Sequence, residues 1–258
     1  MEESEILGNK DAQSDIQLMH AQRKITLGEY KEVINILEEV IELKRETKGT
    51  KGIFTGLIRL ADIYWRQSDF QNTLPLWEEA LVLSQENNDK IGIAEVNECF
   101  AKYYQHIGKI EEAEKLLIES LEIFREFNIK ENIADTLFGL GSLYFRYGNL
   151  NNGQKFIQES FELYKEIGFK SGISNSQNIL ANISKRQGKV DDAEKLYLDS
   201  LEIRKFLSDK QGISSSLNNL AILYKDKGQN DKAEKYYLES LEIKKQIEDK
   251  KGISTIYN

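Results

Sequence analysis

The sequence predicts an all-α fold built as a stack of repeated helix pairs, and three observations carry that reading. The first is a period of 40 across the 258 residues. Lys51-Gly52-Ile53, Ile91-Gly92-Ile93, Ser171-Gly172-Ile173, Gln211-Gly212-Ile213 and Lys251-Gly252-Ile253 fall in step, with Glu131-Asn132-Ile133 in the same frame. A fixed period in the range of about 20 to 50 residues marks a stacked-repeat architecture. The second is the identity of 13 of 20 positions between residues 191–210 and 231–250. The third is helical spacing of the apolar residues. Ile213, Leu217, Leu220, Ala221 and Tyr224 form one run, and Ala233, Tyr237, Leu241 and Ile247 form the next; both follow the helix period rather than strand alternation.

Taken in order, residues 1–10 form a lead or partial helix, in which Leu7-Gly8-Asn9-Lys10 reads as the tail of a repeat. Six repeats follow, at 11–50, 51–90, 91–130, 131–170, 171–210 and 211–250. Residues 251–258 match the opening of a truncated seventh, as in a fragment of a longer chain. Each repeat holds two helices. The first ends at a column of glycines, 28, 108, 148, 188 and 228, with Ser68 in the same place. The second ends at Gly8, Asn88, Asn128, Gly168 and Ser208. Glycine, and next to it asparagine, takes the left-handed conformation that stops a helix. Asp89, Asp209 and Asp249 come directly after and suit the N-cap of the next helix. Glycines 52, 92, 172, 212 and 252 then fall in that helix's first turn, where each costs about 1 kcal/mol against alanine. Their recurrence predicts close backbone contact with the preceding helix, or else a loop role. Small residues at 21, 61, 101, 141, 181 and 221, and again at 33, 73, 113, 153, 193 and 233, predict tight crossings inside each pair. Pro75 predicts a late start at Thr73, with the proline in the first turn, or else a kink.

The motif Leu217-Asn218-Asn219-Leu220-Ala221-Ile222-Leu223-Tyr224, followed by Gly228, Ala233, Tyr237 and Leu241, resembles the tetratricopeptide repeat. The resemblance covers residues 11 to 250. The period of 40 rather than 34, and the absence of the usual proline after the second helix, are similar to the longer-helix subclass of the Leu-Gly-Asn-repeat adaptors, the kinesin light chains and bacterial regulators. His20 and Lys24 depart from the motif in the first repeat, as terminal repeats do. The resemblance implies a right-handed superhelical solenoid of about six helix pairs, non-catalytic, whose first helices line a concave groove that binds protein or peptide.

Composition narrows the function. A net charge of −8 argues against a general nucleic-acid binder. No run of about 18 apolar residues exists to span a membrane, and the acidic start Met1-Glu2-Glu3 has no apolar segment behind it. A single cysteine, Cys99, points to a reducing, cytoplasmic setting. With two histidines, His20 and His106, in separate repeats, no metal site or cofactor is expected. Cys99 reads as a packing residue, Glu38-Glu39 and Glu111-Glu112 as solvated helix faces. The glycines are periodic punctuation rather than a phosphate loop. Asn182-Ile183-Ser184 matches a glycosylation acceptor by chance.

Candidate binding residues come from columns on the outward turns of the first helices. Arg66, His106, Arg146 and Arg186 form a basic row suited to an acidic peptide or a free C-terminus, because arginine grips carboxylates as a fork. Cations in a helix's last turn also complement its dipole, which is the competing reading. Asn178, Asn182 and Asn218 form a ladder able to hold an extended backbone through donors and acceptors together. Trp65, Phe138 and Phe145 offer an apolar pocket for an anchor side chain. Asp62, Lys102, Lys185 and Lys225 complete the set. A carboxylate clamp of the chaperone-tail kind needs Lys/Asn, Asn and Lys/Arg on successive first helices. The matching positions hold Ile58/Asp62, Glu98/Lys102 and Phe138/Ser142, so that ligand is disfavoured. A sensor region of a larger signalling enzyme is the alternative function, and self-association through an uncapped C-terminal face is a third.

Overall fold

The computed structural model describes residues 12–21, 24, 30–47 and 49–247. Among these every element is a helix: α1 (residues 12–21), α2 (Tyr30–Glu46), α3 (Thr50–Arg66), α4 (Phe70–Glu86), α5 (Lys90–His106), α6 (Ile110–Glu126), α7 (Lys130–Arg146), α8 (Leu150–Ile167), α9 (Lys170–Arg186), α10 (Val190–Phe206), α11 (Lys210–Asp226) and α12 (Asn230–Gln246). The expected lead at 1–10, the N-cap Asp249 and the partial repeat at 251–258 lie outside the described residues.

The turn chemistry expected from the sequence is present at each described position. Gly108, Gly148, Gly188 and Gly228 after first helices, and Gly168 after a second, have positive φ. So do Ser68 (60°), Asn88 (53°), Asn128 (53°) and Ser208 (56°). Asp89 and Asp209 accept from the amides of Gly92 and Gly212, and Asp69 and Asn149 cap α4 and α8 in the same way. The Asp69 cap corrects one expectation: α4 starts at Phe70 rather than Thr73, with Pro75 inside it. The side-chain acceptor stabilises the first turn upstream of the proline.

The chain forms two compact units, residues 1–123 and 124–258, with α6 running across the junction. In the first unit α2 packs on α3, α3 on α4 and α4 on α5. Leu37, Ile41, Leu57, Leu60, Ile63 and Trp77 are buried between them. In the second, each of α7 to α12 packs on its chain neighbour, and α7 also touches α9. Tyr197, Leu201, Leu217, Leu220 and Tyr224 form its C-terminal core.

Close packing explains the small residues. Ala61, Ala101, Ala181, Ala113 and Ala193 are fully buried. A Cβ added at Gly153 would sit 3.1 Å from the backbone nitrogen of Phe145, so α7 and α8 approach to backbone contact. A buried serine ties the second helix of several pairs to the first. The hydroxyls of Ser120, Ser160, Ser200 and Ser240 donate to the carbonyls of Ala94, Ala134, Ser174 and Ser214 at 2.7–2.9 Å. Each acceptor lies 26 residues upstream, so the same bond recurs once per period.

Candidate binding face of the first helices

Successive first helices meet with a one-residue stagger. In the first unit Arg59 donates to the Leu18 carbonyl at 3.2 Å, and the Trp65 ring lies 5.8 Å from that of His106. In the second unit Arg186 donates to the Phe145 carbonyl at 3.3 Å. Asn219 there donates to Asn178 Oδ1 at 2.9 Å, and Lys185 pairs with Asp226 at 2.7 Å. Every one of these partners is 41 residues apart, one more than the repeat. Lateral neighbours on this face therefore belong to adjacent columns of the sequence, not to the same one.

That stagger rearranges the expected basic row. On α3, Arg66 is exposed and bonds Asp62 at 2.7 Å, one turn away. This bond raises its pKa, burial opposing. His106 on α5 faces aromatic rings rather than Arg66: Phe70 stands 4.8 Å away and Trp65 5.8 Å. In the second unit the guanidinium carbon of Arg186 lies over Phe145, 4.2 Å from the ring centre, a cation–π contact. Arg146 is exposed, and among the described residues no hydrogen bond or ion pair engages it.

The expected apolar pocket is also redistributed. Trp65 belongs to an aromatic cluster of the first unit with Phe70 (5.1 Å) and Trp77 (5.5 Å), half-buried. Phe145 is covered by Arg186, and Phe138 is half-buried on α7. Lys102 on α5 and Lys225 on α11 are exposed.

The asparagines come together best. Asn178 and Asn182 are one turn apart on α9 and half-buried. Asn178 accepts from Asn219, and Asn182 Oδ1 accepts the Tyr197 hydroxyl at 2.7 Å. Both spend their carbonyl oxygen inside the protein, leaving each NH2 group as a donor. Asn218 is half-buried beside them on α11. Sequence reasoning singled out Asn178, Asn182 and Asn218 but not Asn219 and Tyr197, the groups that bond the first two. The Asn218-Asn219 pair was the available signal for Asn219; the stagger that selects it has no mark in a repeat of equal periods.

Burial pushes the Cys99 thiol up to about 11, so little thiolate forms near neutrality and the side chain acts as core packing. Among the described residues no group of three or more His, Cys, Asp or Glu side chains is arranged to hold a metal, and no helix is long and apolar enough to cross a membrane.

The model of the tetratricopeptide repeat matches residues 52–126, 92–166 and 172–246, most of the chain. The chain belongs to the tetratricopeptide repeat family. Residues 13–67 are also similar to the family model of anaphase-promoting complex subunit 5. No curated protein sequence matches the chain. Solved structures with this fold include BtubC (BKLC) from P. vanneervenii, 20% identical, with a TM-score of 0.62 over 94% of this chain and 92% of that one. A Rap protein complexed with competence and sporulation factor is 14% identical, with a TM-score of 0.68 over 92% and 71%. A signal-transduction ATPase with a tetratricopeptide repeat sensor, from Pyrococcus horikoshii, is 19% identical, with a TM-score of 0.66 over 90% of this chain and 35% of that protein. At these identities the likeness is one of fold. A tetratricopeptide repeat array is an interaction scaffold in general, and a protein or peptide is the partner class that goes with it.

Proposed function

We propose that the chain is a cytoplasmic, non-catalytic adaptor that holds an extended partner segment along the first helices, in the concave groove of the array. The observation that supports this most is the α9 pair. Asn178 and Asn182 present two amide donors one helical turn apart, each oriented by an internal bond to its oxygen. Donors fixed in this way bond peptide carbonyls without reading sequence and lose little entropy on binding. Arg146 and Lys225, exposed and outside any ion pair of the described residues, favour an acidic segment or a free C-terminal carboxylate.

The test is selection of displayed peptides on the wild-type chain, with parallel selections on Asn178→Ala/Asn182→Ala and on Arg146→Glu/Arg186→Glu. Enrichment of acidic or carboxyl-terminal peptides that both variants lose, at unchanged helicity, is the expected result. Peptides enriched equally on the wild type and both variants would remove the groove as the site. A second reading, a sensor region of a larger signalling protein, is favoured by likeness to the sensor-bearing ATPase, of which this chain spans 35%. A gene that continues from this array into a catalytic domain would decide for it.

A further inference from the structure

One column of the second helices carries buried residues that reach across the start of the next first helix. Its members are Lys44, Ser84, Phe124, Tyr164, Arg204 and Lys244, all buried. Where side chains are long their tips converge on one place. Lys44 Nζ meets Asp15 at 2.8 Å, Tyr164 donates its hydroxyl to Asp135, and Arg204 donates to Asn175 at 2.9 Å. In each case the acceptor lies 29 residues upstream. Arg204 also donates to the Gly212 carbonyl at 3.0 Å and to Ser216 at 2.8 Å. The recurrent glycine is where the crossing happens, and it lies against side chains rather than the expected backbone. A Cβ at Gly52, Gly172 or Gly212 would lie 2.5, 2.5 or 2.8 Å from the side chain of Lys44, Tyr164 or Arg204.

Ser84 breaks the pattern. Its hydroxyl turns back to the Ala80 carbonyl at 2.9 Å and still lies 2.6 Å from where a Cβ at Gly92 would stand, but the side chain ends there and nothing longer from its column crosses the glycine. A cavity of about 560 Å³ opens there, lined by Thr55, Ile58, Arg59, Ser84, Gly92 and Glu95 among others. Thr55, 29 residues before Ser84, stands where Asp15, Asp135 and Asn175 stand in the other pairs. Its hydroxyl donates to the Lys51 carbonyl and keeps its lone pairs for a further donor. The half-buried Glu95 carboxylate makes no hydrogen bond or ion pair among the described residues. Burial, reinforced by Asp89 and partly offset by Lys51, holds its pKa above the ordinary value. Lys51 is exposed, and the guanidinium of Arg59 is engaged with the Leu18 carbonyl.

We propose that this cavity receives an arginine side chain from a partner protein, which fills between molecules the place that Arg204 and Lys44 fill within the chain. Gly92, Thr55 and Glu95 in the lining supply a carbonyl, a hydroxyl and a carboxylate as acceptors for a guanidinium, and Ile58 and Leu83 supply apolar surface for its alkyl stem. The lining residues all belong to the first unit and include none of the asparagines, so the proposal does not rest on the groove reading.

The probe is Nα-acetyl-arginine amide, with the citrulline analogue as the neutral control, titrated into the whole chain and followed by amide chemical shifts. Saturable shifts at Thr55, Gly92 and Glu95 with the arginine compound alone are expected. Glu95→Gln should weaken the binding at least fivefold without changing the melting temperature. Ser84→Arg fills the slot from within; it should raise the melting temperature and abolish the shifts. Ser84→Tyr, which copies the native Tyr164 of the same column, serves the same purpose if the arginine variant folds poorly. Arg146→Glu should leave the titration untouched. Equal binding of the citrulline compound, shifts that persist when the slot is filled, or no saturable shifts in the wild type would each overturn the proposal.

Discussion

Gly172→Ala is the sharpest test of why a glycine recurs in the first turn of these helices. By helix propensity alone the change should stabilise the chain by about 1 kcal/mol. The structure argues the opposite. The new Cβ would lie 2.5 Å from the Tyr164 ring, roughly 1 Å inside ordinary contact. That ring is 3% exposed and its hydroxyl is bonded to Asp135, so it has little room to withdraw. Overpacking of this kind costs about 1–3 kcal/mol, which offsets the propensity gain of about 1 kcal/mol and leaves a net loss of up to about 2 kcal/mol. Removing the ring removes the clash. In a Tyr164→Ala background, where nothing of that side chain beyond Cβ remains, Gly172→Ala should become stabilising by about 0.5–1 kcal/mol. The coupling between the two sites is then roughly 2 kcal/mol, well within reach of a double-mutant cycle. Urea unfolding followed by far-ultraviolet circular dichroism supplies the four stabilities. A Gly172→Ala change that stabilises the otherwise wild-type chain, or that costs the same in both backgrounds, would refute the reasoning.

Ser200→Ala removes the buried bond to the Ser174 carbonyl and should cost about 1 kcal/mol, whereas Ser215→Ala on the exposed face of α11 should cost far less; equal losses in urea would count against the serine tie. Ser208→Gly relieves a non-glycine residue at φ 56° and should raise the unfolding midpoint by an amount equivalent to about 1 kcal/mol, and an unchanged or lower midpoint would contradict that. Glu194 accepts hydrogen bonds from Lys227 and Tyr224, which hold its carboxyl below the ordinary value of 4.5. A carboxyl depressed on folding adds stability above its unfolded pKa and loses it as pH falls through the folded one. Glu194→Gln should therefore be the less stable protein at neutral pH, with the difference vanishing in acid; a difference constant with pH would show that the charge is not involved.

The period of 40, the left-handed residues at Gly108, Asn88 and Ser208, and the caps Asp89 and Asp209 were all legible in the sequence. Each is a local matter, in which one residue type meets one backbone requirement. The small residues at 61, 101, 181 and 193 were legible too, because close helix crossings demand them wherever they recur. Which side chains meet across the first helices was not. Equal spacing aligns Arg146 with Arg186 and Asn178 with Asn218, yet Arg186 lies over Phe145 and Asn178 bonds Asn219. The pairing depends on a one-residue stagger between stacked helices, which is set by how their surfaces interlock rather than by any residue alone. Pro75 is a like case: the cap at Asp69 outweighed the breaker five residues inside the helix that it starts. So the sequence alone determined that this chain is a stack of helix pairs, because propensity, capping and period act along the chain. Tertiary packing alone decided the side-chain partners across the first helices and the cavity at Ser84, because both arise where separate helices meet.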